Sequence, residues 1–203
     1  MQDLSIICDV LRYINPDEVK DFSDSISATQ YASKNWLVEK LVDLKRYHPG
    51  SPSILTIGGW YGSYLIPFLQ EAVKPKKIYH TDKNMRAVDV ASFMHRSISK
   101  NCEFMCLNAE TSAKRITSIE ADIIINTSCE HMYDMSNIMS SNSKCLYVFQ
   151  SCNVTSDPGH INPSFSIQEF KIKCGLTRVL FEGEMQVNSN GKTRYMVMGF
   201  KQT

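Results

Sequence analysis

The sequence holds no apolar run near the ~20 residues that a membrane-crossing helix needs, so no membrane partner is expected. Its first residues, Met1-Gln2-Asp3-Leu4-Ser5, lack the basic start and the cleavage site of a secretory leader. Neither charge dominates: 22 Lys and Arg stand against 21 Asp and Glu, a formal net charge of +1. Proteins built for nucleic acid usually carry a basic surplus, so nucleic acid is not an indicated partner. No CxxC pair occurs, and the cysteines (Cys8, Cys102, Cys106, Cys129, Cys145, Cys152, Cys174) are odd in number. Several lie in apolar, strand-like runs, which reads as small core residues in a reducing, cytoplasmic setting. Cys129, His131, Cys152 and His160 could be imagined around zinc, but their spacings fit no ligand pattern, and no metal is expected. Repeats and low-complexity segments are absent as well, and the balance of 43% hydrophobic to 21% charged residues excludes disordered, collagen-like and coiled-coil chains.

What is present is an ordinary globular balance: 203 residues, 43% hydrophobic and 21% charged. That length suits one domain over residues 1–203 with a substantial core. Residues 1–50 read as a helical extension. Asn15-Pro16-Asp17-Glu18 has the form of a helix start. A longer helix is expected from Thr29 to Tyr47, with Trp36, Leu37, Leu41 and Leu44 at helical spacing. Pro49-Gly50-Ser51-Pro52 ends it.

Residues 53–203 then alternate strand and helix. Strands are expected at Ile54–Ile57, Lys77–Thr81, Cys102–Leu107, Ala121–Asn126 and Cys145–Gln150. Helices are expected at Ser63–Val73, Met85–Ser99, around Met135–Met139, and at Ser166–Cys174. Two last strands, Thr177–Val187 and Arg194–Lys201, flank Asn188-Ser189-Asn190-Gly191-Lys192, whose Asn-Gly step marks an antiparallel hairpin. The pattern predicts an α/β fold: a Rossmann-like open seven-stranded sheet, mostly parallel, with an antiparallel C-terminal β-hairpin and helices on both faces. Ligands of such sheets bind at the carboxyl ends of the strands.

Those ends carry the candidate residues. Gly58-Gly59-Trp60-Tyr61-Gly62 follows the first strand, where glycines allow a sharp turn and a close approach to a ligand. Asp82 closes the second strand, 24 residues after Gly58, a spacing that suits a ribose-binding carboxylate as well as a helix cap. Asn108-Ala109-Glu110 closes the third, where an adenine edge would be met. After the fourth come Ser128, Cys129, Glu130 and His131. Glu130 or His131 is placed to act as a general base. The alternative is that Thr127, Ser128 and Glu130 serve the start of the next helix. Gln150-Ser151-Cys152-Asn153 after the fifth strand, and His160 in the loop Asp157–Pro163, would face the same crevice. Ser128, Gln150, Asn153 and His160 are the substrate-binding candidates. Lys34, beside Trp36, reads as a solvated end of its helix.

These motifs resemble the class I S-adenosylmethionine-dependent methyltransferases over roughly Ser53 to the C-terminus. More narrowly they resemble a group of small methyltransferase-like proteins found largely in tailed phages. The matching pieces are Ser33-Lys34-Asn35-Trp36, Ile57 to Gly62, Asn126-Thr127-Ser128-Cys129-Glu130-His131-Met132, Gln150-Ser151-Cys152-Asn153 and His160-Ile161-Asn162. The resemblance implies S-adenosylmethionine as cofactor, held by Gly58, Gly59, Trp60, Gly62, Asp82, Asn108 and Ala109. It also implies methyl transfer to oxygen or nitrogen, with Glu130 and His131 at the reacting end. A phage source would add a phage or host protein partner and a place in the host cytoplasm or the virion. Two departures stand out. Thr56 occupies the family's acidic position on the first strand, and Trp60 occupies its middle glycine. The indole either walls the methionine part of the cofactor or fills the pocket. A non-catalytic Rossmann-type module is therefore the alternative to an enzyme. A nicotinamide oxidoreductase is disfavoured by the missing GxGxxG and by the terminal hairpin.

Overall fold

The computed structural model describes residues 4–98, 100–133, 135–139, 144–187 and 191–201. Seven strands form one sheet: β1 (Ser53–Ile57), β2 (Lys77–Asp82), β3 (Cys102–Cys106), β4 (Ile123–Asn126), β5 (Leu146–Cys152), β6 (Arg178–Gln186) and β7 (Thr193–Phe200), in the order β3-β2-β1-β4-β5-β7-β6. β1 to β5 pair in parallel, and β7 runs antiparallel to both β5 and β6. The direction of strand order reverses between β1 and β4, the place where such sheets open a binding crevice.

Side-chain alternation divides the sheet into two cores. Leu55, Ile57, Ile124, Tyr147, Phe149 and Val197 face one side, covered by Ile116 of α6 (Ala113–Thr117) and by Phe170 and Cys174 of α7 (Ile167–Cys174). Ile54, Ile123, Ile125, Leu146, Val148 and Met198 face the other. They meet Leu37 and Leu41 of α3 (Ala28–Asp43) and Leu65, Ile66 and Leu69 of α4 (Leu65–Ala72). All four residues of β4 are buried, as a strand covered on both faces requires.

A third cluster joins Val10 of α1 (Leu4–Tyr13), Phe22 of α2 (Val19–Ser25), Tyr61, and Val90 and Met94 of α5 (Met85–His95). It docks the N-terminal helices over the strand ends. Arg86 donates to Glu18 Oε1 at 2.8 Å and to the Tyr13 carbonyl at 3.0 Å. The Ser25 and Ser63 hydroxyls share a 2.8 Å bond, and Tyr64 OH donates to the Ile26 carbonyl.

Several boundaries differ from expectation. The helix from residue 29 stops at Asp43, and Lys45–Tyr47 forms a 3-10 turn before the Pro49-Gly50 break. The helix from Met85 stops at His95, where Arg96 turns its guanidinium back onto the Phe93 carbonyl at 2.7 Å; Ser99 lies outside the described residues. The expected helix near 135–139 is a 3-10 turn, Ser136–Ile138. α6, five residues long, is too short to give a periodic signal and was not anticipated. β5 continues two residues beyond Gln150, because β7 pairs with it as far as Cys152 opposite Arg194. The hairpin is present, and Gly191 takes φ +76°; Asn188, Ser189 and Asn190 lie outside the described residues.

Candidate functional site

The turn from β1 into α4 is left-handed at three places: Gly58 (φ +60°), Gly62 (φ +62°) and Trp60 (φ +52°). An indole side chain in that conformation is strained. It is held because Trp60 N–H donates to Asp82 Oδ2 at 2.8 Å, while the ring tilts onto Tyr61 and joins the cluster of α1, α2 and α5. Gly59 answers to a different neighbour. A Cβ there would lie 2.2 Å from His80 Cε1. His80 is fully buried beneath the turn, 2.8 Å from Thr56 Oγ1 and 3.0 Å from the Trp60 carbonyl. A carbonyl can only accept, so Nε2 carries the ring proton and Nδ1 accepts from the Thr56 hydroxyl. Burial lowers the His80 pKa and keeps the ring neutral. Thr56 thus belongs to the packing under the turn. The glycines, read from sequence as permitting a ligand's approach, have this local requirement of their own.

A cleft of about 1060 Å³ opens above these strand ends. Gly58, Gly59, Trp60, Gly62, Asp82, Asn108 and Ala109 all line it, and so do Ser128, Glu130, His131 and His160. Asp82 is half-buried; its Oδ1 also accepts from Asn84 N–H at 2.9 Å, so both oxygens hold backbone amides. Asn108 folds its own turn, accepting from Glu110 N–H. Ser128 donates to the Gly58 carbonyl at 2.9 Å and so stitches the β4 and β1 ends together. That replaces the helix-capping role weighed from sequence; the element after Ser128 is only a 3-10 turn, Cys129–His131.

Two substrate-binding candidates lie elsewhere. Gln150 is fully buried within β5 on the α3 side, accepting from Ser33 Oγ at 3.1 Å and donating to the Ser33 carbonyl at 3.2 Å. Asn153 closes the hairpin: its side chain donates to the Gly191 carbonyl and accepts from Thr193 N–H, both at 2.9 Å. Neither residue lines the cleft. The sequence put Gln150 at the end of the fifth strand and Asn153 beyond it; β5 runs on to Cys152, which keeps Gln150 inside the sheet and leaves Asn153 to meet the start of β7.

At the β4–β5 end the two predicted catalytic residues differ. His131 is half-buried, and its Nδ1 bonds to the Gly159 carbonyl at 2.8 Å. In the neutral ring that carbonyl fixes the proton on Nδ1 and leaves Nε2 as an acceptor. Its ring meets that of His160 edge-on at 4.6 Å. Glu130 is buried, with Oε1 held by Arg194 Nη1 at 2.8 Å and approached by the Cys152 thiol at 3.5 Å. Burial opposes the Arg194 charge, but Glu130 outweighs it and the guanidinium pKa is raised. The Cys152 thiol is pushed up to about 11, chiefly by burial and then by Glu130.

Ligand atoms of Glu130, Cys152 and His160 come within 4.8 Å of one another. Two of their atoms are already committed: Arg194 holds Glu130 Oε1, and His160 Nδ1 bonds to the Val154 carbonyl at 2.7 Å. A cation there would also meet the guanidinium charge, so the donor set does not suit a metal. Cys129 is not part of the trio. Its buried thiol is pushed well up, which suits an inert core group rather than a nucleophile.

The sequence reading passed over two residues. Arg194, at the start of β7, faces Cys152 across the β5–β7 ladder. Lys34 of α3, read as solvated, lines the cleft instead. Burial, and next the Arg194 charge, lower its pKa to about 7, with Glu130 opposing. Its place in the Ser33–Trp36 match was the only available signal.

No protein-family model and no curated protein matches the sequence. Solved structures do. The chain is similar to the N-methyltransferase NodS from Bradyrhizobium japonicum WM9, with a TM-score of 0.60 and 14% identity over 88% of this chain and 99% of that one. It is similar to a SAM dependent methyltransferase from Aquifex aeolicus, with a TM-score of 0.58 and 16% identity over 91% and 98%. It is also similar to TrmK of M. capricolum in complex with S-adenosyl-homocysteine, with a TM-score of 0.54 and 13% identity over 81% and 69%. At such identities the likeness is one of fold: this chain has the Rossmann-like fold of these methyltransferases.

Proposed function

We propose that this protein transfers a methyl group from S-adenosylmethionine to an oxygen or nitrogen of a small molecule or an accessible side chain. One observation carries the reading: a single cleft joins the β1, β2 and β3 ends to a histidine whose Nε2 is free to accept a proton. The residues present fit the cofactor. The cleft is roomy, and Asp82 and Trp60 both line it, Trp60 while packing against the helical cluster. Proteins of the same fold support the choice, one of them in complex with the demethylated product.

When bound, the cofactor supplies a methyl group activated on a sulfonium. The chain's own groups do the rest. Each Asp82 oxygen holds one backbone amide and keeps a second lone pair for a ribose hydroxyl. The Trp60 ring offers an aromatic face to a cationic centre, a contact of ~0.5–2 kcal/mol. His131 Nε2 takes the proton of the acceptor hydroxyl or amine. Glu130, bound to Arg194, holds the acceptor end of the cleft in place. A tailed-phage origin, with a phage or host partner, rests on the short sequence motifs, and a cytoplasmic setting rests on the seven free thiols.

Calorimetry with S-adenosylmethionine and S-adenosylhomocysteine tests the reading. Both should bind, and Asp82→Ala should weaken them by about 1–3 kcal/mol. Unchanged affinity in that variant, with the fold intact by circular dichroism, would place the adenosine elsewhere. No binding of either ligand would sink the enzyme reading and leave a packed scaffold module.

A further inference from the structure

We propose that the β4–β5 end of the cleft is a subsite for a small hydroxycarboxylate, a monoanion whose hydroxyl donates to Glu130 while Lys34 and Arg194 hold its carboxylate. The proposal deepens the methyl-transfer reading, and it rests on that reading only for the role of acceptor.

Two unusual groups meet there. Glu130 is 2% exposed, yet its Oε2 has no hydrogen-bond partner among the described residues. A buried carboxylate oxygen without a donor is costly, so the position calls for an N–H or O–H. Lys34 makes no hydrogen bond or ion pair among the described residues, and its half-buried side chain lines the same cleft. Burial and then the Arg194 charge bring its pKa down to about 7 against the opposing pull of Glu130, so an anion beside it would favour the charged form.

Charge selects the ligand. Lys34 and Arg194 carry two positive charges against the one of Glu130, so one positive charge is uncompensated. A carboxylate balances it. The donor to Oε2 must then be neutral, because a ligand ammonium would restore the surplus. A hydroxyl meets both conditions. Three other groups face this end. The Cys152 thiol, its pKa pushed up to about 11, chiefly by burial, adds no charge, and His131 and His160 each turn Nδ1 onto a backbone carbonyl. At the rim Lys192 and Asp157 contribute one charge of each sign.

The experiment is a titration of the whole protein, followed by NMR and calorimetry at about pH 6, where Lys34 is protonated. The probes are 4-hydroxybenzoate and lactate. Benzoate and propionate serve as controls without the hydroxyl, and phenol and propanol as controls without the carboxylate. At least one hydroxy acid should bind at least about tenfold more tightly than both of its truncated controls, and Lys34→Met should remove that margin while Lys34→Arg retains part of it. Raising the pH to about 8.5 removes most of the Lys34 charge, so affinity should fall by up to about thirtyfold in the native protein and by clearly less in Lys34→Met. Equal binding of a truncated control, unchanged binding in Lys34→Met, or no binding at about 10 mM would overturn the subsite. S-adenosylhomocysteine is titrated into the same samples. If it binds and no hydroxy acid does, the subsite alone fails; if a hydroxy acid binds and it does not, the subsite stands and methyl transfer fails.

Discussion

Gly59 and His80 show how one residue can be explained twice. A glycine after the first strand suits a cofactor, but the atom nearest to a Cβ at Gly59 belongs to the imidazole below it, at 2.2 Å. That ring is buried and bonded on both nitrogens, so it has no room to retreat. Gly59→Ala should therefore destabilise the fold by about 1–3 kcal/mol, as overpacking does. Urea unfolding measures this directly; a cost near zero would mean that the turn can lift away from His80. Trp60 is the opposite case. It holds a conformation that glycine favours, because a hydrogen bond from its backbone N–H to Asp82 and a cluster of helices over-determine it.

Among the elements, α1 and α2 are tied to the rest mainly on one side. They reach the sheet domain through one apolar cluster and a few polar bonds, of which Arg86 makes the most. Arg86 is about a third exposed, so its pair with Glu18 is partly screened. Arg86→Leu should cost about 1 kcal/mol overall, yet speed amide exchange across residues 4–25 without touching β4 or β5. Uniform acceleration through the sheet would show instead that the helices and the sheet open as one unit. The consequence for function is direct, because α2 and α3 line the cleft with Asp21, Asp24 and Lys34.

The whole molecule should respond to pH through its buried histidines. Burial, with His80 adding, lowers His95 to about 3, and burial also lowers His80. The unfolded chain then takes up protons first as pH falls below about 6.5. Stability present above that value should be lost on acidification, by about 1.4 kcal/mol per pH unit for each ring within its window. Denaturant midpoints at about pH 7, 6 and 5 read this slope, and His95→Gln should flatten it. An unchanged slope in that variant would assign the acid sensitivity to other groups. Lys34 acts on the alkaline side: lowered from 10.5 to about 7, it should add stability as pH rises between those values.

The sequence by itself determined the order of the strands, the parallel sheet with its reversed end, and the residues standing at the first three strand ends. Those signals are local: apolar periodicity, Asn-Gly in a hairpin, and Gly or Asp directly after a strand. It could not decide what each end residue does, because Asp82 as ribose acceptor and Asp82 as holder of two amides look alike in one dimension. Nor could it place Gln150 and Asn153. Their faces follow from how far β5 runs, and that is set by pairing with β7, more than 40 residues away. The Lys34–Glu130–Arg194 group depended most on tertiary structure. Its members come from α3, the turn after β4 and the start of β7, and only packing brings three charges into one partly closed space. There burial makes their balance matter, in a way that no spacing along the chain encodes.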